Sequence, residues 1–183
     1  MGRDKTAPDF LFEGEALAAR VAGLLGDVCD EVIVASGDGK RMAWLCLPQV
    51  ADALPASGPL AGLVAGIDRA KHPLVAAVAA DMPFASPAVL RLLGSLIGPH
   101  DAAVPVSPAG QEPLHALYSR SALPSFEDAL RNGRLSVRVA LDGLDVRFVE
   151  EAEWRLADPS GRFVENLNRP EDERPFVERS PRN

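Results

Sequence analysis

Cysteine and histidine are scarce, with two and three copies in 183 residues, and neither is arranged as a ligand set. Cys29 and Cys46 stand too far apart for a redox or zinc pair. They read as reduced, buried thiols of a cytoplasmic protein. His72, His100 and His115 have no ligand spacing, which argues against a histidine-based metal site; His115, on a short expected strand, reads as a satisfied structural histidine. Positive charge is also short. The 19 Lys and Arg against 26 Asp and Glu leave a net charge of −7 and a pI near 5.0. That balance argues against coating nucleic acid or lying on a membrane surface. No apolar run has the length of a membrane span, and early prolines among alternating charges do not make a signal peptide. A Gly-x-Ser-x-Gly elbow, a complete Gly-x-x-x-x-Gly-Lys-Ser/Thr loop, an internal repeat and a dividing linker are all missing.

What is present is an apolar content of 47% in a chain long enough to bury a core as one domain. Helical and strand patterns alternate. Leu17, Val21, Leu24 and Leu25 mark one face of a helix over 15–25. The run 32–35 reads as a strand stopped by Ser36-Gly37-Asp38-Gly39, and 44–50 as an edge strand weakened by Pro48. A helix is expected from Leu60, with Pro59 in its first turn. Residues 74–80 are apolar on both faces, as in a central parallel strand covered by helices. Ser86-Pro87 caps a helix to Ile97, with Gly98 as its stop. Strands are expected at 102–106, 114–118 and 146–149, and helices at 121–132 and 135–141. This order predicts an α/β fold with a mostly parallel sheet, spanning 1–172, followed by a mobile tail over 173–183.

In such sheets ligands bind beyond the carboxyl ends of the strands. Asp81 stands at such an end, where a carboxylate can hold Mg²⁺ against a phosphate or merely cap a turn. Asp52 precedes Gly58-Pro59-Leu60-Ala61-Gly62. The glycines there let backbone approach a nucleotide, or else mark tight helix packing. Lys5 is placed either to offset phosphate charge or as a solvated surface lysine.

Five segments occur in one order: Met1-Gly2-Arg3-Asp4-Lys5, Gly58-Pro59-Leu60-Ala61-Gly62, Asp81-Met82-Pro83-Phe84, the run Glu112 to Tyr118, and Asn166 to Asp172. In that order they resemble the molybdenum cofactor guanylyltransferases, also called molybdopterin-guanine dinucleotide biosynthesis protein A. The resemblance runs from residue 1 to about 172. It implies a Rossmann-like, three-layer nucleotidyltransferase fold and Mg²⁺-dependent transfer of GMP from GTP to molybdopterin. By the same resemblance Lys5 contacts phosphates, Asp81 binds the metal, and Asp52, Gly58 and Gly62 lie on the nucleotide side. Asn166 and Asn168 match paired asparagines near the pterin side. Ala35 stands where some members have asparagine, and Arg169 replaces a frequent threonine. The family's opening strand and Leu-Ala-Gly-Gly-type loop have no counterpart ahead of Met1, so the sheet is expected to lack its first strand, leaving unpaired backbone.

Two other readings remain at this level. One is a non-catalytic or degenerate molybdopterin-binding protein, or a docking partner of cofactor-assembly proteins. The other is a sister transferase using CTP or a sugar phosphate.

Overall fold

The computed structural model describes residues 6–54 and 58–167. A small hairpin comes first, β1 (Leu11–Phe12) against β2 (Glu15–Ala16). It leads directly into α1 (Leu17–Gly26), whose buried face is Leu17, Ala18 and Val21. The hairpin is absent from the sequence reading because two-residue strands leave no periodicity. The parallel pair β3 (Val34–Ala35) and β4 (Gln49–Val50) follows. Then come α2 (Pro59–Arg69), β5 (Leu74–Val78) and α3 (Pro87–Leu96). The chain continues through β6 (Ala102–Ser107), β7 (Gly110–Gln111), β8 (His115–Ser119) and α4 (Leu123–Arg131). It closes with α5 (Val137–Ala140), β9 (Val146–Val149) and α6 (Glu151–Trp154).

The larger sheet orders β5-β8-β6, with β9 on the other side of β6 and β7 on its far end. β8 runs against both β5 and β6, while β6 and β9 are parallel. Strands β5, β6 and β9 therefore share a direction with β8 reversed among them, and the sheet is mixed. The bonded neighbour of β5 is accordingly antiparallel, where an apolar strand of this kind is expected to have parallel neighbours.

Alternation along β6 and β8 divides the core into two layers. Ala102, Val104, Ala116 and Tyr118 pack with α2, α4 and α5. Ala103 and Leu117 point the other way, onto α3, Val149, Trp154 and Phe163. This is the expected three-layer arrangement. The two largest buried aromatic side chains place their polar groups on backbone: the Tyr118 hydroxyl donates to the Pro113 carbonyl at 2.7 Å and Trp154 Nε1 to that of Val106 at 2.9 Å.

Two local expectations need correction. Residues 44–50 are not one strand: a 3₁₀ turn, Ala43–Leu45, precedes the short β4. Cys46 ends that turn in the left-handed region at φ 54°, so its side chain is carried to the surface. Cys46 is exposed and Cys29 only half-buried, so neither is the buried thiol the composition suggested. Burial, and then Asp30, still push the Cys29 thiol pKa up.

Among the described residues, the β3–β4 pair and the larger sheet form separate sheets. A groove of about 940 Å³ lies between them, lined by residues of α1, α2, β3 and β5.

Candidate functional site

The groove opens where β3, β4 and β5 end. Ser36, Gly37 and Asp38 turn the chain after β3. Asp52 closes that turn from the other side: its N–H donates to the Gly37 carbonyl at 3.0 Å, and its Oδ1 accepts from the Gly37 N–H at 3.2 Å. Asp38 Oδ1 accepts from the Lys40 and Arg41 N–H groups, each at 2.8 Å. These bonds hold the Asp38 carboxyl below its usual range. They also set Arg41 on the groove lining.

Gly58 is the residue before α2, with φ 72° and ψ −167°, a region that glycine alone occupies without strain. Pro59 then starts the helix. One turn on, Gly62 permits close packing: a Cβ there would lie 3.3 Å from both Ala35 Cβ and Asp52 Oδ1. Gly62 thus marks tight packing of the helix, the second of the two readings, and it also fixes how near the Asp52 carboxylate lies.

Asp81 follows β5 and lines the same groove as Asp52, Gly58 and Gly62. Its carbonyl accepts from the Leu167 N–H at 3.0 Å. That bond brings the preceding residue, the exposed Asn166, beside the Asp81 turn. The turn is held from below by α3. Ser86 Oγ accepts from the Val89 N–H at 3.4 Å, and the Ser86 N–H donates to His115 Nε2 at 2.9 Å. An accepting Nε2 assigns the ring proton to Nδ1. Burial then pulls the His115 pKa down to about 4, so the ring is neutral. His115 is therefore structural, as expected, but only half satisfied: its buried Nδ1 has no hydrogen-bond partner among the described residues.

Of the sequence-derived site residues, Asp52, Gly58, Gly62 and Asp81 meet in one groove and Asn166 stands beside its rim. Lys5 and Asn168 lie outside the described residues. Arg20 and Arg41 were not anticipated. Arg20 Nε donates to the Pro83 carbonyl at 2.9 Å, a contact 63 residues distant in sequence and without a sequence signal. Arg41 had one, since it closely follows the Ser36–Gly39 loop at a strand end. Among the described residues no group of three or more His, Cys, Asp or Glu could together hold a metal ion. The donor set at the groove mouth is carboxylate oxygen, which fits a hard cation that shares its coordination with substrate and water.

The chain matches the model of the MobA-like NTP transferase domain over residues 1–146. It is 35% identical to a probable molybdenum cofactor guanylyltransferase of Chloroflexus aggregans, over 87% of this chain and 78% of that one. Identity is again 35% to a protein of the same name from Methanosarcina mazei, covering 88% and 77%. In structure it resembles molybdopterin-guanine dinucleotide biosynthesis protein A from Archaeoglobus fulgidus, with a TM-score of 0.77 and 26% identity over 90% of this chain and 85% of that one. A 2-C-methyl-D-erythritol 4-phosphate cytidylyltransferase from Thermus thermophilus shares the fold, with a TM-score of 0.63 at 17% identity over 90% and 89% of the two chains. The chain belongs to the MobA-like NTP transferase domain family, among the molybdenum cofactor guanylyltransferases.

Proposed function

We propose that this protein transfers GMP from GTP to the terminal phosphate of molybdopterin, releasing pyrophosphate, in the cytoplasm. The observation that carries the reading is the convergence of Asp52, Gly58, Gly62 and Asp81 on one groove at the carboxyl ends of the strands, together with the relatives' shared name. The nucleotidyltransferase domain is taken to span 1–172.

In this reaction a phosphate oxygen of molybdopterin attacks the α-phosphorus of GTP. A new P–O bond forms, and the bond from the α-phosphorus to the bridging oxygen breaks. That oxygen leaves with the electron pair as part of pyrophosphate. Asp81 is the residue that would hold Mg²⁺, which when bound would neutralise charge on the phosphate oxygens. Gly58 leaves the start of α2 open to the nucleotide, and Asp52 fixes the turn at Gly37 beside it. Lys5 is assigned to the phosphates, and Asn166 and Asn168 to the pterin side. Positioning and charge stabilisation supply the catalysis, with no covalent enzyme intermediate.

The test is transfer of labelled GMP from GTP to molybdopterin, with Mg²⁺ supplied. Asp81→Asn should abolish turnover while leaving the melting temperature nearly unchanged, because the side chain lies at a strand end outside the two core layers. Retained turnover with a normal melting profile would remove Asp81 from the mechanism. Molybdopterin binding without turnover in the unmodified chain would instead favour a binding protein.

A further inference from the structure

We propose that Phe84 and Arg162 are positioning residues for the acceptor, setting how the segment that carries Asn166 sits against the Asp81 turn. This deepens the proposed function and rests on it, through the pterin-side assignment of Asn166.

Phe84 stands three residues after Asp81, with its ring half-buried. The guanidinium carbon of Arg162 lies 3.4 Å from the centre of that ring, a separation at which the planar cation rests on the aromatic face. Arg162 opens a 3₁₀ turn, Arg162–Val164, directly after Gly161 in the left-handed region at φ 64°. Five residues beyond Arg162, the Leu167 N–H donates to the Asp81 carbonyl at 3.0 Å. Two ties therefore run from the ends of one short segment to the ends of one turn. Arg162 meets Phe84, Leu167 meets Asp81, and the exposed Asn166 is held between them.

Other contacts hold the segment to the body of the protein. Phe163 packs on Trp154 and His115, with ring centres 5.0 and 4.6 Å away, and Leu167 packs with Phe10 and Leu17. Arg162 also pairs with Glu165 at 3.3 Å. That bond stays within the segment and uses the in-plane donors of the guanidinium, which leaves its flat face for Phe84.

The ring is fixed from its other side as well. Phe12 of the first hairpin meets it at 89°, with 5.3 Å between ring centres. Arg20 Nε donates to the carbonyl of Pro83, the residue before it, at 2.9 Å. Phe84 is thus a set point against which Arg162 places the segment. Asp52 and Gly62, on the nucleotide side, are tied instead to the Gly37 turn and Ala35. Losing the stack should therefore be felt by the acceptor and not by GTP.

The test is Phe84→Leu, which stays apolar but has no aromatic face, beside Phe84→Tyr, which keeps one. In Phe84→Leu the KM for molybdopterin should rise by about tenfold, the scale of a lost stack, with the KM for GTP unchanged. Phe84→Tyr should behave as the unmodified chain. Arg162→Gln, at a side chain 41% exposed, should give the same split and serves if Phe84→Leu does not fold. Amide exchange gives a readout apart from turnover: the Leu167 N–H should exchange faster in Phe84→Leu and Arg162→Gln, with β6 and β8 unchanged. Equal rises in both KM values, an unchanged KM for molybdopterin, or an unchanged Leu167 exchange rate overturns the proposal. A chain that transfers no GMP would sink the function reading instead. Titration of the same variants with molybdopterin would then decide the positioning, with equal affinities overturning it.

Discussion

Gly62 makes two demands of the same atom position. A methyl group there would press on Ala35 and on Asp52 Oδ1, both 3.3 Å away, while alanine favours a helix interior by about 1 kcal/mol over glycine. These effects oppose each other in stability but not in function. Gly62→Ala should therefore leave the melting temperature nearly unchanged and weaken GTP binding, as read by calorimetry, by displacing Asp52 from the Gly37 N–H. An unchanged GTP affinity would leave Gly62 with a packing role alone. His115 shows burial acting on a proton. Its folded pKa is depressed to about 4 from an ordinary 6.5, so the unfolded chain takes up a proton first as pH falls. The stability it contributes is complete above about pH 6.5 and is lost between there and about pH 4, at up to roughly 1.4 kcal/mol per pH unit. Protonation at Nε2 also removes the acceptor for the Ser86 N–H. Thermal melts from pH 7.5 to 4.5 should fall steeply, and His115→Asn should flatten the slope while lowering the plateau.

At the scale of elements, α3 shows how a local signal reaches the site. Ser86 and Pro87 start it as the sequence requires, and the cap is present, with Ser86 Oγ accepting from the Val89 N–H. The same serine closes the turn that begins at Asp81. Ser86→Ala should cost about 1 kcal/mol, visible as a lower urea midpoint at constant slope. It should also reduce GMP transfer beyond what the lost stability explains, because the end of the Asp81 turn loses its side-chain tie to the first turn of α3, although the Ser86 N–H keeps His115. A loss of stability with full turnover at saturating substrate would separate cap from site. The strands absent from the sequence reading are among the shortest: β1, β2 and β7 have two residues each. Two residues cannot display a period, and their pairing is set by what packs around them.

Across the whole molecule, the two core layers share β6 and β8, so they should unfold together. Phe126, fully buried on the α2–α4 side, and Trp154, buried on the α3–α6 side, lie on opposite faces of one sheet. Phe126→Ala and Trp154→Ala should each cost roughly 3–5 kcal/mol and each shift a single transition, with fluorescence and circular dichroism coinciding. Two separated transitions in either variant would divide the layers into independent units. Among the described residues no helix is long and apolar enough to cross a membrane.

The sequence by itself determined the longer elements and the places where they stop. Proline at a first helical turn, serine at a cap and an apolar run between prolines act on their near neighbours, whatever the rest of the chain does. It also held the order of motifs, and with it the candidate residues Asp52, Gly58, Gly62 and Asp81. Tertiary structure alone decided that β8 lies reversed between β5 and β6, since strand order depends on contacts between segments far apart in the chain. It decided that Asp52 binds Gly37 rather than solvent, that Arg20 reaches Pro83, and that Cys46 sits at the surface. Among the described residues it also decided that β3 and β5 fall in separate sheets, because strand pairing depends on segments that lie far apart in the chain.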